Sequence, residues 1–362
     1  MTLMFAFAFS VMGQNGYLAD GKAKKDEEYK IALVLPFNSN NPRTKLSEVM
    51  LDYYVGFKLG VEQVSIEGFQ CKLYVFDNTK DSTGLQNILG HKDLPKMDVI
   101  VGPIYDDGLN QMSHFCDSTG QILITPLRYF KNERNKVSVI NFFPSPEIQV
   151  QSIVDRMTSK YPNHTFYIAG DLTDESSRLM QVSEEAFMHK DVTLMDERLI
   201  LSNGVLEGDI KSKDSLVIIS ASKSEEMQKV MDKLLKGTNS SFGVAHYETH
   251  KKTKQFRKYS HVLFPDLYHY NKGDSTSKRF YRSFKLNQMG APSKYAGIGY
   301  DQAVYISYSL MAYGKEFRDF LPGATYQGIR NKIFLRPDEN GNITNYGMFF
   351  YRHHLGKAEL IE

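Results

Sequence analysis

From Tyr29 onward, short apolar runs alternate with amphipathic stretches, and this rhythm constrains the fold more than any other feature of the sequence. Parallel strands buried on both faces are near-continuous runs of Val, Ile and Leu, whereas the helices between them have one apolar face. Residues 48–64, EVMLDYYVGFKLGVEQV, place apolar side chains at helical spacing. We predict the first four strands at residues 31–36, 71–76, 99–102 and 122–125. The pattern therefore predicts an α/β fold with a mostly parallel sheet.

A second α/β series follows the first. Its predicted strands lie at residues 165–169, 215–220, 241–245 and 261–265, and its predicted helices at residues 145–160, 176–190 and 223–236. Near the C-terminus, residues 329–334 and 345–352 alternate around Asn340-Gly341, which predicts a two-residue hairpin turn. Two series in tandem predict two α/β domains.

The N-terminus has the pattern of a secretory signal. Residues 3–12, LMFAFAFSVM, form an uncharged apolar run that is too short to span a bilayer and is followed by small and polar residues. We predict a cleaved signal peptide over residues 1–16, a polar linker over residues 17–28 and export to the periplasm or beyond. No Cys follows the run, so a lipid anchor is not expected. No Lys or Arg precedes it, which departs from the usual signal, and a buried N-terminal strand or helix is the alternative.

Composition narrows the function. Lys and Arg number 44 against 42 Asp and Glu, a formal net charge of +2, and this balance gives no electrostatic reason to expect a nucleic-acid partner. The chain has only two cysteines, which excludes a disulfide-stapled scaffold. Export would permit a bridge between Cys71 and Cys116, and two separate buried thiols are the other interpretation.

Catalytic and metal-binding motifs are absent from the sequence. It contains no Gly-x-Ser-x-Gly, no phosphate-binding Gly-x-x-x-x-Gly-Lys-Ser/Thr and no His-Glu-x-x-His. His246 and His250 are four residues apart, but no third metal ligand can be identified for them. We therefore predict a protein that is not an enzyme and that has no cofactor and no metal site.

Candidate ligand-binding residues follow from where parallel strands end, because ligands bind beyond the carboxyl ends of the strands in open parallel sheets. In the first series the candidates are Asn38, Ser39, Asn40, Asp77, Tyr105, Asp106 and Arg128. In the second series they are Asp171, Thr173, Tyr247, Glu248 and Asp266.

Each candidate also has a structural interpretation. The amides of residues 38–41 suit a sugar or a peptide, or they form an ordinary polar turn. Asp106 and Asp107 would repel a carboxylate if they faced a ligand, or they are the first-turn residues of a helix. We expect Asp301 to cap a helix rather than to touch a solute.

Several segments in order resemble the type I periplasmic binding proteins, the group that includes the leucine/isoleucine/valine-binding receptors. In the first half these segments are IALVLPF, YVGFKLGVEQV, KLYVFDNTKD, MDVIVGPIY and ILITP. SKYAGIGYDQAVYISYSLMAYG, residues 293–314, looks like the late Gly-Tyr-Asp helix of the family, and TYQGIRNKIFLRPDENGN, residues 325–342, looks like its terminal segment.

The resemblance implies two doubly wound, Rossmann-like lobes joined by three interlobe crossings. We place the crossings near residues 141–145, 265–268 and 325–328. Lobe one then comprises residues 29–142 and 267–327, and lobe two comprises residues 143–266 and 328–362. A receptor of this kind closes on a small solute by a hinge motion.

Two functions remain open at this point. The first is an extracytoplasmic solute-binding protein for an amino acid, peptide or sugar derivative, a candidate for ABC-type uptake with a membrane permease. The alternative is a non-transport cell-envelope protein that uses the same scaffold, with a degenerate or filled cleft, to interact with another protein or a cell-wall component.

Overall fold

The computed structural model describes residues 27–79, 82–131, 139–208, 210, 215–219, 229, 263–270, 273–288, 290–321, 325–354 and 357–361. The strands, in chain order, are β1 Glu28–Leu35, β2 Gln70–Asp77, β3 Val99–Val101, β4 Ile122–Thr125, β5 Val139–Asn141, β6 Thr165–Asp171, β7 Thr193–Leu194, β8 Leu199–Ser202, β9 Val205–Glu207, β10 Ser215–Ile219, β11 Leu263–Asp266, β12 Thr325–Gln327, β13 Lys332–Pro337, β14 Ile343–Asn345, β15 Phe349–His354 and β16 Lys357–Leu360. The α-helices of the described residues are α1 Lys45–Ser65, α2 Ser82–Leu89, α3 Asp106–Thr119, α4 Pro146–Lys160, α5 Asp174–Phe187, α6 Ser275–Gln288 and α7 Lys294–Tyr313.

The chain divides into two compact units. Unit 1 comprises the described residues up to Phe143 together with Tyr268–Gly347, and unit 2 comprises the described residues of Pro144–Leu267 and those from Met348 onward. The chain therefore passes between the units three times. None of the described helices has the length and the apolar character needed to cross a membrane.

Unit 1 is built on an eight-stranded sheet in the order β12-β13-β14-β5-β4-β3-β1-β2. Strands β1 to β5 pair in parallel, β14 pairs in parallel with β5, and β13 and β12 continue the sheet in the antiparallel sense. Residues 31–35 of β1 are completely buried, which explains the unbroken apolar run.

Alternate residues of β1 pack on opposite faces of the unit 1 sheet. Ile31 and Leu33 belong to a core cluster that includes apolar residues of α1, α6 and α7, whereas Ala32 and Val34 belong to a second cluster with α2 and α3. The strand period of two puts consecutive residues on opposite faces, so both faces of the sheet are covered. This is the doubly wound arrangement in unit 1.

Helices α1 and α7 pack unusually closely. A methyl group added at Gly56 would overlap the Ala296 carbonyl, and one added at Gly299 would overlap the Tyr53 carbonyl. Only a residue without a Cβ fits at either position. The contact also carries a buried hydrogen bond of 2.6 Å, donated by the Tyr53 hydroxyl to Gln302 Oε1.

Unit 2 has two sheets. The first has the order β10-β6-β8-β9 with β7 also paired to β6, and β6 is parallel to β10, β8 and β7. The second is the antiparallel sheet β11-β15-β16. Asn203 and Gly204 join β8 to β9 with φ values of 48° and 76°, as a two-residue type I′ hairpin requires.

The predicted parallel strands of the first series are confirmed as β1 to β4, and the α/β class holds in both units. The sequence did not predict β7 to β9, although Asn203-Gly204 is a hairpin signal. The predicted strand at residues 241–245 lies outside the described residues, as does nearly all of the predicted helix at residues 223–236.

The structure differs from the sequence analysis near the C-terminus. Residues 328–347 were assigned to lobe two, but they belong to unit 1 because β13 and β14 extend its sheet, so the third passage lies at Gly347–Met348. The turn between β13 and β14 is also longer than two residues. Pro337 pairs with Ile343, which leaves residues 338–342 as the connection.

The two cysteines are free thiols. Cys71 packs against the core cluster that contains Ile31, and Cys116 belongs to the cluster on the opposite face of the unit 1 sheet. The sheet therefore separates them. Burial raises the pKa of each thiol to about 12.

Candidate functional site

Asp77, the last residue of β2, binds the loop that follows β1. Its Oδ1 accepts hydrogen bonds from the backbone N–H groups of Phe37 and Asn38, at 2.8 and 3.0 Å, and its Oδ2 accepts from the N–H and the hydroxyl of Ser39, at 2.7 and 2.6 Å. Partial burial disfavours the charged carboxylate, but these four donors outweigh it and hold the pKa of Asp77 below its usual value. Asp77 thus fixes the conformation of the loop.

The side-chain amides of Asn38 and Asn41 form hydrogen bonds within this loop. Asn38 adopts a φ of 57°, its Nδ2 donates to the Pro42 carbonyl at 3.0 Å, and its Oδ1 accepts from Asn41 Nδ2 at 3.1 Å. Ser39 and Asn40 are exposed. The turn interpretation therefore describes Asn38, while the ligand-binding role of the loop stays a prediction.

One of the two carboxylates in the acidic segment after β3 is paired. Asp106, the first residue of α3, forms an ion pair with Arg128, which follows β4, and Arg128 Nη1 also donates to the Ile104 carbonyl at 3.3 Å. Tyr105 is the N-cap residue of α3, but its side chain makes no capping hydrogen bond. Because Arg128 compensates Asp106, the expected repulsion of a ligand carboxylate is weakened.

Asn78 was not predicted as a site residue, although it directly follows Asp77. Its backbone N–H donates to the Leu35 carbonyl at 2.9 Å, and the side chain is 2% exposed. Its Oδ1 has no hydrogen-bond donor among the described residues. A buried acceptor at the carboxyl end of a parallel strand therefore has no partner in the part of the chain that the structure describes.

Asp301 binds a turn instead of capping its own helix. From the middle of α7, its carboxylate accepts hydrogen bonds from the backbone N–H groups of Ile329, Arg330 and Asn331, at 2.8, 2.7 and 2.8 Å. Complete burial raises the pKa of Asp301 to about 7 against the opposing effect of these donors. The expected capping role is corrected, because the donors come from the segment between β12 and β13.

Asp338 has a similar role at the start of the β13–β14 connection. Its Oδ1 accepts from the backbone N–H groups of Asn340 and Asn342, at 2.9 and 3.0 Å. Its Oδ2 accepts from the hydroxyls of Thr344 and Tyr129, at 3.0 and 3.2 Å. Asp338 therefore ties the connection to the segment that follows β4.

In unit 2, Asp171 is the last residue of β6 and precedes α5. Its Oδ1 accepts from the backbone N–H and the hydroxyl of Thr173, at 2.9 and 2.5 Å. Thr173 is in turn the N-cap of α5, and its hydroxyl oxygen accepts from the Ser176 N–H at 3.2 Å. Asp171 is 4% exposed, and its Oδ2 has no hydrogen-bond donor among the described residues.

The remaining candidates are less informative. Asp266 is buried and ends β11, where its backbone pairs with Phe349 of β15. Tyr247 and Glu248 lie outside the described residues. Among the residues that the structure does describe, no group of three or more His, Cys, Asp or Glu side chains could hold a metal ion.

Comparison with solved structures identifies the fold. A structure described as a branched-chain amino acid ABC transporter of Rhodospirillum rubrum matches with a TM-score of 0.70 at 12% identity, over 92% of this chain and 100% of the other. The fold is that of the type I periplasmic binding proteins. An ABC transporter substrate-binding protein of Desulfitobacterium hafniense, solved in complex with Leu, matches with a TM-score of 0.56 at 14% identity, over 92% and 100% of the two chains.

The type I fold also occurs in a regulatory protein that resembles this chain. The C-domain of LpoA from Haemophilus influenzae, a regulator of PBP1A, matches with a TM-score of 0.58 at 16% identity, over 92% of this chain and 100% of the domain. No protein-family model and no curated protein matches the sequence. The fold of this chain is thus shared by solute-binding proteins and by a regulator.

Proposed function

We propose that the protein is an extracytoplasmic solute-binding protein for a small polar solute, such as an amino acid, a peptide or a sugar derivative. One observation carries the proposal. In each unit, a polar side chain at the carboxyl end of a parallel strand is buried and has an acceptor oxygen without a donor among the described residues: Asn78 Oδ1 in unit 1 and Asp171 Oδ2 in unit 2.

The energetic argument is that most buried polar atoms in proteins are hydrogen-bonded, because an unsatisfied buried acceptor costs about 1–3 kcal/mol. A solute that donates hydrogen bonds to these oxygens would remove that cost. The carboxyl ends of strands are where open α/β sheets bind their ligands. Solute-binding proteins with the same fold support the proposal, and the notable absence of catalytic motifs agrees with a binding role.

A thermal-shift screen of the mature protein against amino acids, short peptides, sugars and muropeptides tests the proposal. A solute present at one hundred times its dissociation constant stabilises the folded protein by about 2.7 kcal/mol. We expect at least one class to raise the melting temperature in a saturable manner and Asn78→Ala to weaken that effect. The proposal fails if no class of solute changes the melting temperature.

A second function, regulation of a cell-envelope protein, is favoured by the similarity to the LpoA C-domain. It predicts binding to a protein of the cell envelope rather than to a solute. Affinity capture from detergent-solubilised envelopes, with solute-saturated protein as the control, separates the two functions. A specific envelope partner together with an unresponsive thermal-shift screen would favour the regulator.

Export is part of the proposal. We propose that residues 1–16 are removed as a signal peptide, as the apolar run at residues 3–12 indicates. Expression of the full chain in a bacterium, followed by osmotic-shock fractionation and intact-mass measurement, tests this. Recovery of the uncleaved chain in the cytoplasm would contradict export.

A further inference from the structure

The outward face of α6 is strongly basic. Phe280 and Phe284 are buried in the core of unit 1, whereas Lys278, Arg282 and Lys285 are exposed. A helix turns by about 100° per residue, so the three cations lie in one narrow stripe on the side opposite the two buried rings. Helix α6 contains no Asp or Glu. Lys278, Arg282 and Lys285 therefore form a continuous positive stripe, which we call the basic ridge.

Within the described part of the chain, no carboxylate forms an ion pair with the basic ridge. Asp274, which precedes the helix, accepts a hydrogen bond from the Ser277 N–H at 2.8 Å and thus serves the first turn. In α1, by contrast, Lys58 and Glu62 form an ion pair of 3.7 Å across four residues. Like charges three and four residues apart on a helix repel each other. An anionic partner would relieve the repulsion along the basic ridge.

Two exposed apolar side chains flank the basic ridge. Around the helix axis, Tyr281, which is 39% exposed, lies about 60° to one side of Lys278, and Leu286, which is 79% exposed, lies about 80° to the other side. A soluble polyanion offers a partner to the cations only. The surface of an anionic bilayer offers phosphates to the cations and, directly below them, hydrocarbon to the apolar side chains. The combination therefore favours a membrane surface over a soluble polyanion.

We propose that α6 docks the protein on a membrane surface that contains anionic phospholipid. The basic ridge contacts the headgroup phosphates, while Tyr281 and Leu286 enter the interface beside them. The helix presents this face ready-made, because Phe280 and Phe284 fix it to unit 1. Two apolar side chains bury little area, so the association is reversible and sensitive to salt. The inference goes beyond solute binding and does not depend on it.

Vesicle co-sedimentation of the mature protein tests the inference. Vesicles of phosphatidylcholine are compared with vesicles in which about one lipid in three is phosphatidylglycerol. We expect binding to the anionic vesicles only, and loss of that binding as NaCl rises from about 0.05 M to about 0.5 M. Absence of binding to the anionic vesicles, or equal binding to both kinds, overturns the inference. Binding of heparin without binding of vesicles overturns it in favour of a soluble polyanion.

A variant of the basic ridge localises the charge effect. The ridge variant is Lys278→Gln/Arg282→Gln/Lys285→Gln, and we expect it to bind anionic vesicles about 100-fold more weakly, about fivefold for each cation lost. The control variant removes the same charge from exposed lysines elsewhere in unit 1 and is Lys72→Gln/Lys92→Gln/Lys131→Gln. Its affinity should stay within about threefold of wild type, because salt screens distant charges. Equal weakening of the two variants, or full binding by the ridge variant, contradicts the role of α6.

A second variant tests the apolar contact. Leu286→Ser should weaken vesicle binding about fivefold, whereas Met188→Ser, at a 69% exposed side chain of unit 2, should leave it unchanged. If Leu286→Ser binds the vesicles as tightly as wild type, the cations act alone and insertion beside the headgroups is wrong. The melting temperature shows that each variant is folded. Arg282→Gln alone, with an expected loss of about fivefold, replaces the ridge variant if that variant does not fold.

Discussion

The two units use carboxylates differently at corresponding positions. In unit 1, Asp77 at the end of β2 accepts four hydrogen bonds, and Asp338 accepts another four. Both oxygens of each carboxylate are therefore hydrogen-bonded within the fold. In unit 2, Asp171 at the end of β6 uses one oxygen only. The residue type and the position on a strand are the same in Asp77 and Asp171. The number of nearby donors therefore separates a structural carboxylate from one with unused binding capacity.

Asp301→Ala tests the structural side of this comparison with the largest expected effect. It leaves three N–H groups, two of them buried, without an acceptor and removes the hydrogen-bond partner of Tyr326, so we expect the free energy of unfolding to fall by about 4 kcal/mol. Urea unfolding measures the change. Asp319→Ala, at an exposed aspartate of the same unit, should change stability by less than about 0.5 kcal/mol. Similar values for the two variants would contradict the role of Asp301.

Asp77→Ala should cost about 2 kcal/mol, because its four donors belong to a partly exposed loop that water can solvate. The loss should also be local. Hydrogen exchange of the Phe37, Asn38 and Ser39 amides should become faster, while amides of β3 keep their protection. Unchanged exchange in the loop would show that Asp77 does not hold it.

The pH dependence of stability sharpens the contrast between Asp301 and Asp77. Burial raises the pKa of Asp301 to about 7, so its stabilising contribution is full below about pH 4, the range of an unfolded carboxyl, and is lost as the pH rises through 7. Hydrogen bonds lower the pKa of Asp77, so its contribution is present above about pH 4 and is lost as the pH falls through its folded value. Urea midpoints measured from pH 3 to pH 8 test both contributions. In Asp301→Asn we expect the loss of stability at rising pH to disappear, and in Asp77→Asn we expect the loss of stability at falling pH to disappear. The same slope in both variants would contradict the assignment.

Asp171→Asn should have the smallest effect on stability, below about 1 kcal/mol in the absence of a solute. The substitution keeps an acceptor for Thr173 and removes the cost of a buried charge without a cation. Urea unfolding next to Asp77→Asn makes the comparison direct. If the free energy of unfolding falls as much in Asp171→Asn as in Asp77→Asn, then Asp171 stabilises the fold as strongly as Asp77 does.

Much of the fold was predictable because hydrophobic periodicity reports burial. The run at residues 31–36 and the helical spacing at residues 48–64 correspond to β1 and α1, whose buried faces impose the pattern. Strands β7 to β9 were missed, because they are short and two of them are largely exposed. The extension of unit 1 by β13 and β14 was also missed, since periodicity does not say which sheet a strand joins.

The candidate site was less predictable than the fold. A carboxylate at a strand end is visible in the sequence, but its donors are not when they are distant in the chain. Asp338 receives a hydrogen bond from Tyr129, and Asp301 receives three from residues 329–331. Sequence position therefore identified Asp77 and Asp171 as candidates and could not tell how many of their oxygens the fold consumes.

The close contact between α1 and α7 has a consequence for the order of events during synthesis. Gly56 meets Ala296, and Tyr53 meets Gly299, so the core of unit 1 joins segments made early and late on the ribosome. The strands β1 to β5 emerge long before the helix that covers them. The central strands of unit 2, by contrast, come from one stretch of nascent chain, residues 165–219. Unit 2 can thus begin to fold while unit 1 still awaits its last helix, and part of one apolar sheet face stays uncovered until residue 313 has emerged from the ribosome or, in an exported chain, from the membrane.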